Sequence, residues 1–454
     1  MLPLTYKEAA AATGSETPLE GRFTGVSTDT RKITPGSLFI ALAGENFDGH
    51  AFAAAALEKG AGAVMAEKDC GLGDRQILVS STHDALLSLA GYYRSLFNIP
   101  VVGVTGSVGK TTTKEMTHAV LSAKYNTLKN EGNLNNEIGV PLTLFRLEKE
   151  HEAAVIEMGM NHFGEISRMT KAVKPDVAII SNIGVSHIEN LGSREGILKA
   201  KLEILEGMKS DAPVVLNGDD DMLVKADTLS HPVTYYGITN SSCAYKAFDI
   251  TSTDEETEFA IGFAGGPLRV CLPFKGRHNI SNALAAVAAG ELLGIPVSQG
   301  AEALKNYRTT GLRQKIVKQS GITFIEDCYN ASPDSQAAAM AVLGSMNTGR
   351  KIAVIGDMLE LGSYSEEAHR LVGKYAADNC ADIVFTYGER SLVSAKSAKE
   401  NGVSDVRSFT DKVHLARELA RELKPGDAVL FKASRGMKLE EVIYNVFELL
   451  GIEE

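Results

Sequence analysis

The run VVGVTGSVGKTTTKE, residues 101–115, carries the residue types best suited to chemistry. A strand-like apolar stretch leads into Gly106, Ser107, Val108, Gly109, Lys110 and Thr111, and a helical segment opens with Thr112. Glycines let the backbone turn tightly enough for successive N–H groups to face phosphate oxygens, and the helix N-terminus adds positive partial charge. In such a loop the lysine reaches the β- and γ-phosphates of a nucleotide, and the hydroxyl of Thr111 coordinates Mg2+. The spacing departs from the strict GxxxxGK[ST] form, because Val104 stands five before Gly109 and Gly103 one earlier. Strand, Gly-Lys-Thr and helix in order point to ATP or GTP, without saying what the energy drives.

A second candidate is Glu195–Gly207, EGILKAKLEILEG, with two lysines two positions apart. On a helix, at about 100° per residue, they separate. Lys199 has Glu195 four before it and Glu203 four after, the pattern of a solvated, salt-bridged face. Lys201 has Ile197, Leu198, Ile204 and Leu205 one turn away on either side, so it points from the apolar face. An ammonium there is costly unless paired or neutralised, and burial lowers its pKa. A buried Lys–carboxylate pair and a neutral, reactive amine both remain open.

The elements that must position these residues fall into three regions. Residues 1–98 hold short apolar strands (SLFIALAG, GAVMAEK, QILVSS) among helical stretches. Residues 99–311 alternate strand-like runs (VVGVTG, AAVIEMG, VAIISNIG, APVVLNGDD) with helical segments, as in a parallel sheet covered on both faces. Between Phe248 and Phe274 the period becomes two, predicting an antiparallel hairpin at a sheet edge. Residues 312–454 alternate again (ITFIEDCYN, KIAVIGDM, ADIVFTYG, AVLFKASRG), and the polar NYRTTG before them reads as a hinge. The expected fold class is therefore α/β with three domains, the central one a P-loop parallel sheet. Ligands of open parallel sheets bind at the carboxyl ends of strands, which here carry Thr105–Gly106, Glu157, Asn182 and Asn217–Asp219.

Composition bounds the partners. With 454 residues, 23% charged and 44% apolar, the chain suits a multidomain globular protein. A net charge of −11 argues against general nucleic-acid binding. Five scattered cysteines without a CxxC pair fit a reducing compartment. No apolar run reaches spanning length and the N-terminus lacks a signal-peptide pattern, so a cytoplasmic protein without membrane association is expected.

Seven further stretches occur in the order seen in the Mur ligases: NEGNLNNEIGVPLTL, VIEMGMNHFGEI, ISNIGVSHIENLGS, KAKLEIL, NGDDD, GRHNISNALAA and GLRQKIVKQSGITFIEDCYNASPDS. Together with the offset TGSxGKTTT loop, they make the chain resemble that family over essentially its whole length. The resemblance implies an N-terminal UDP-substrate domain, a central ATPase domain and a C-terminal Rossmann-like domain. It also implies an ATP-dependent, ADP-forming amide ligase of peptidoglycan precursor synthesis that works through an acyl phosphate. VSTDTRKITPGSLFIALAGENFDGHAF, VIGDMLELGSYSEEAHR and FKASRGMKLEEV point to the branch that joins D-alanyl-D-alanine to a UDP-muramoyl-tripeptide. The DNPR signature of the diaminopimelate-adding branch is absent, and YNASP stands in its place.

By position, the resemblance assigns ATP to the loop from Gly106 to Thr112, with Asn279 and Asn282 at adenine, Arg313 at the γ-phosphate and Asp327 at the ribose. Of two Mg2+ ions, Thr111 and Glu157 hold the first and His187 the second, approached by a carbamylated Lys201. Ser27, Thr28, Asp29, Arg31 and Asn46 resemble the uridine-diphosphate site, and Asn135 and Asn136 lie near the acceptor carboxylate. Asn330, Lys432, Ser434 and Arg435 are candidates for the dipeptide. A monomer acting on small molecules, with catalytic roles for Lys110, Glu157, His187, Lys201 and Arg313, is the resulting expectation. A sister ligase, adding the third residue or resembling folylpolyglutamate synthetase, and a P-loop switch that makes no covalent product are the alternatives.

Overall fold

The computed structural model describes residues 1–44, 47–226, 230–308 and 312–452. The first region folds around a small parallel sheet of four strands: β1 (Val26–Ser27), β2 (Leu38–Ile40), β3 (Ala63–Ala66) and β4 (Gln76–Leu78), in that spatial order. Helix α1 (Thr82–Ser95) follows, its N-terminus capped by the Ser81 hydroxyl.

The central sheet has nine strands. They are β5 (Val101–Thr105), β6 (Thr127–Lys129), β7 (Ala153–Glu157), β8 (Val177–Ile180), β9 (Val214–Asn217), β10 (Val233–Gly237), β11 (Tyr245–Ser252), β12 (Thr257–Gly262) and β13 (Leu268–Leu272). Their order is β6-β7-β5-β8-β9-β10-β11-β12-β13, parallel through β11, with the last two antiparallel as the period-two pattern predicts. Every residue of β5, β7 and β8 is buried, because helices cover both faces and leave no wet side. Those helices include α2 (Lys110–Ser122), α3 (Glu165–Val173), α4 (Arg194–Leu202) and α5 (Arg277–Leu292).

The third sheet holds β14 (Lys315–Gln319), β15 (Ile322–Glu326), β16 (Lys351–Gly356), β17 (Ile383–Tyr387), β18 (Asp405–Phe409) and β19 (Ala428–Lys432). Its order is β14-β15-β19-β16-β17-β18, with only β14 antiparallel to its neighbour. Helix α6 (Pro333–Gly344) starts from a Ser332 capping box with proline at its first position. The turn of the β11–β12 hairpin touches this third unit: Lys275 Nζ donates to Asp254 and to the Ser345 carbonyl, both at 2.7 Å.

The first and central regions share one apolar core, with α1 as the seam. Gly91 lets α1 approach α3: a Cβ there would lie 3.2 Å from the Ala172 Cα. Tyr93, fully buried, donates to the Leu147 carbonyl at 2.6 Å and accepts from the Leu2 amide at 2.7 Å. Tyr93→Phe strands both groups, so it should destabilise the chain by about 1–3 kcal/mol. Thermal unfolding would show this, with ADP affinity unchanged because the seam is remote from the phosphate loop.

Candidate active site

A cavity of about 610 Å³ opens at the carboxyl ends of the central strands and is closed over by the third unit. Ser107 to Thr112, Glu157, Asn182, His187, Asn217 and Asp219 line it from the central sheet. Arg313, Gln314, Asp327, Tyr329 and Asn330 line it from the other side. The strand ends singled out in the sequence therefore do converge on one edge.

The loop has the backbone that phosphate cradling requires. Gly106 and Gly109 sit at φ +150° and +79°, and a Cβ on Gly106 would fall 1.9 Å from the Ser181 hydroxyl. Asn182 braces the loop by accepting from the Val108 amide at 2.9 Å and donating to its carbonyl at 3.0 Å. Lys110 Nζ folds back onto the carbonyls of Gly106 (2.8 Å) and Ser107 (3.2 Å). Removal from water and the nearby Arg313 charge pull its pKa down, against the opposing pull of Glu157.

Glu157 ends β7 almost wholly buried. Its carboxylate accepts from the Thr111 hydroxyl at 3.2 Å and from Asn135 Nδ2 at 2.7 Å. The Lys114 ammonium lies 3.8 Å from it, held by Glu115 at 3.0 Å and by the Asn130 carbonyl at 2.8 Å. Lys114 was not among the sequence candidates, although it stands three after Thr111 on the same helix face. A hydroxyl beside a carboxylate is a hard-oxygen pair of the kind Mg2+ takes, so these residues fit the metal. Asn136 accepts from the Gly139 amide at 2.8 Å and also lines the cavity.

His187 lies across the cavity at φ +64°, outside the usual region for a residue with a side chain. Asn279 donates to Gln314 at 2.9 Å, and the Thr113 hydroxyl donates to Asn282 at 3.1 Å. Arg313 stacks on the Tyr329 ring at 4.0 Å. Asp327 pairs with Lys432 at 2.7 Å. Gln314, missed in the sequence, knits the units by also meeting His278 at 3.0 Å and the Lys275 carbonyl at 2.7 Å; no local pattern marks it.

The two lysines differ as expected, with one correction. Lys201 is 1% exposed, and its ammonium makes no hydrogen bond or ion pair among the described residues. Burial, then the charge of Lys110, lowers its pKa well below the usual lysine range. It does not itself line the cavity. Lys199 is exposed, but the expected salt bridges are absent: its ammonium lies 5.8 Å from the Phe163 ring centre. Glu203 is drawn instead to the start of α3, accepting from the Gly164 and Ser167 amides at 2.8 and 3.2 Å, because a helix N-terminus offers unpaired donors. The stretch also tightens to a 3-10 turn from Glu203 onward rather than continuing as α-helix.

The remaining candidates lie apart from the cavity or are internally engaged. Asp29 grips Arg31 through two parallel bonds and accepts its amide, and the Ser27 hydroxyl donates to the Asp29 carbonyl, all in the first unit with Thr28. Asn46 lies outside the described residues. Lys432 also donates to the Asn330 carbonyl at 3.2 Å, Ser434 accepts from the Leu359 amide at 2.9 Å, and Arg435 pairs with Glu440. Of these, Asn330 and Lys432 reach the cavity, while Ser434 and Arg435 do not.

Gly106→Ala tests the loop: the clash with Ser181 and the strained φ should weaken ADP binding about tenfold or more. Isothermal titration would measure it.

Comparison with known proteins agrees with this geometry. Three family models match: the Mur ligase family catalytic domain over residues 22–93, the Mur ligase middle domain over 104–290, and the Mur ligase glutamate ligase domain over 312–435. A Bacillus subtilis relative, UDP-N-acetylmuramoyl-tripeptide–D-alanyl-D-alanine ligase, is 42% identical across 93% of each chain. A crystal structure of MurF from Acinetobacter baumannii superposes with TM-score 0.92 at 32% identity over 99% of each chain. MurF from Thermotoga maritima, solved with ADP, gives 0.86 at 31% identity over 94% of this chain and 98% of that one. The chain belongs to the Mur ligase family.

Proposed function

We propose that the chain joins D-alanyl-D-alanine to UDP-N-acetylmuramoyl-tripeptide at the expense of ATP, in peptidoglycan precursor synthesis. The observation that carries this reading is the cavity in which a phosphate loop and a buried carboxylate face Arg313 and Asp327 of a separate sheet. Such a cavity can hold a nucleotide between two units and exclude water from a reactive acyl phosphate. Similarity to dipeptide-adding ligases over nearly the whole chain supplies the substrates.

In this reading the substrate carboxylate oxygen attacks the γ-phosphorus and ADP leaves. The amine nitrogen of the dipeptide then attacks the acyl carbon, losing a proton, and inorganic phosphate departs. The loop amides from Gly106 to Thr112 and Lys110 hold the phosphates, and Arg313, stiffened by Tyr329, meets the γ-phosphate. Asn279 and Asn282 face adenine, and Asp327 the ribose. Thr111 with Glu157 would hold one Mg2+ and His187 a second, supplying neutralisation of charge between two anionic partners. Asn135 and Asn136 flank the acceptor carboxylate.

Lys201 is poised for carbamylation. Its neutral amine attacks the carbon of CO2, an N–C bond forms, one proton leaves, and the anion produced suits a cation-side role. Ser27, Thr28, Asp29, Arg31 and Asn46 take the uridine diphosphate, which must compete with Asp29 for the Arg31 guanidinium. Asn330 meets the dipeptide, with Lys432, Ser434 and Arg435 shaping the loops around it. We place the domain divisions at 98/99 and 311/312. The chain acts as a monomer on small molecules in this reading, and the free cysteines suit a reducing cytoplasm. Among the described residues no helix is long and apolar enough to cross a membrane.

Mass spectrometry of a reaction holding UDP-muramoyl-tripeptide, D-alanyl-D-alanine and ATP should show the tripeptide gaining the dipeptide mass less water. ATP hydrolysis that proceeds without carboxylate and amine would instead indicate a switch. Lys201→Ala should lose most activity and regain part of it with short carboxylates, whereas Lys199→Ala stays near wild type. Equal losses from both substitutions would sink the carbamate.

A further inference from the structure

The segment 184–189 that carries His187 is touched at three points by two parts of the third unit, the start of α6 and the 360–362 loop. Gly184 lies against α6, where a Cβ would fall 2.1 Å from Asp334 Oδ2. Glu189 packs on Gly362, where a Cβ would lie 3.1 Å from its Cγ. Between them, Glu360 Oε2 comes 3.0 Å from His187 Nδ1. Both partners of that contact have left-handed backbones, φ +64° at His187 and +61° at Glu360, which residues with side chains adopt only when their surroundings impose it. His187 Nδ1 is fully buried and makes no hydrogen bond of normal angle, so Glu360 is the acceptor at hand for it.

We propose that Glu360 is a positioning residue for His187, acting only when the third unit is docked. An Nδ1–H given to Glu360 leaves the Nε2 lone pair free for a cation, the arrangement by which carboxylates orient metal-binding imidazoles. Docking of the third unit then does two things at once: it delivers Arg313 and Asp327 to the nucleotide, and it sets the ring that binds the second cation. This inference rests on His187 being a cation ligand.

The test titrates Mn2+ into the full-length enzyme saturated with ADP, counting free ion by electron paramagnetic resonance. Wild type, Glu360→Gln, His187→Ala and the double variant are compared, with thermal unfolding as the check on folding. Glu360→Gln should weaken one of the bound Mn2+ ions about tenfold or more, and Glu360→Asp should restore part of it. In the His187→Ala background, Glu360→Gln should add nothing, because a residue acting through another has no effect once that other is gone. In kinetics, kcat should fall while the KM for ATP stays within about twofold. Losses that add in the double variant, or wild-type Mn2+ binding in Glu360→Gln while His187→Ala is impaired, overturn the coupling and leave the ligand role standing. Wild-type Mn2+ binding in His187→Ala overturns both.

Discussion

Glu157 sits almost wholly buried at the end of β7, where a carboxylate is tolerated only if its charge is met. Two donors, Thr111 and Asn135, and the Lys114 ammonium meet it from three sides. Its backbone is clasped as well: Asn130 accepts from the Glu157 amide at 3.0 Å and donates to its carbonyl at 2.9 Å. This one residue therefore ties the first turn of α2, the 130–136 loop and the sheet into a fixed spacing. The phosphate loop hangs between that anchor and the Asn182 brace on β8's far end, which is why its glycines need no help from outside the central unit.

The other half of the site arrives from a separate sheet, and the contacts that bring it are mostly polar. Gln314 bonds to three partners on α5 and the turn before it, and Lys275 bridges the hairpin turn to the end of α6. Polar joints of this kind separate at lower cost than a shared apolar core, because water can replace each partner. The seam between the first and central units is the opposite case, apolar and continuous. One joint is thus built to hold, and the other parts at lower cost.

Legibility in the sequence followed the range of the interactions. The phosphate loop, the strand ends and the edge hairpin rest on spacing within a few residues, and each was readable. Lys201 was readable because its burial follows from neighbours one helical turn away. The partners of Lys199 were not, since Glu203 had a better offer from the start of α3, an element about forty residues upstream. Gln314 and Tyr329 belong to loops whose roles exist only when two sheets face each other, and no periodicity encodes that. The first unit's residues were identified through resemblance alone, and their geometry shows a self-paired Arg31–Asp29 couple.

The strand order of the third sheet sets when the wall opposite the phosphate loop can be completed. Its last strand in the chain, β19, lies between β15 and β16, so a nascent chain lacking residues 428–432 has two half-sheets with exposed inner edges. Lys432, which ties Asp327 to the Asn330 loop, is the final residue of that strand. Insertion of a central parallel strand pairs residues separated by about a hundred positions, a slow event compared with local folding. Assembly of the sheet and placement of the Lys432–Asp327 pair on the cavity wall are then a single late event.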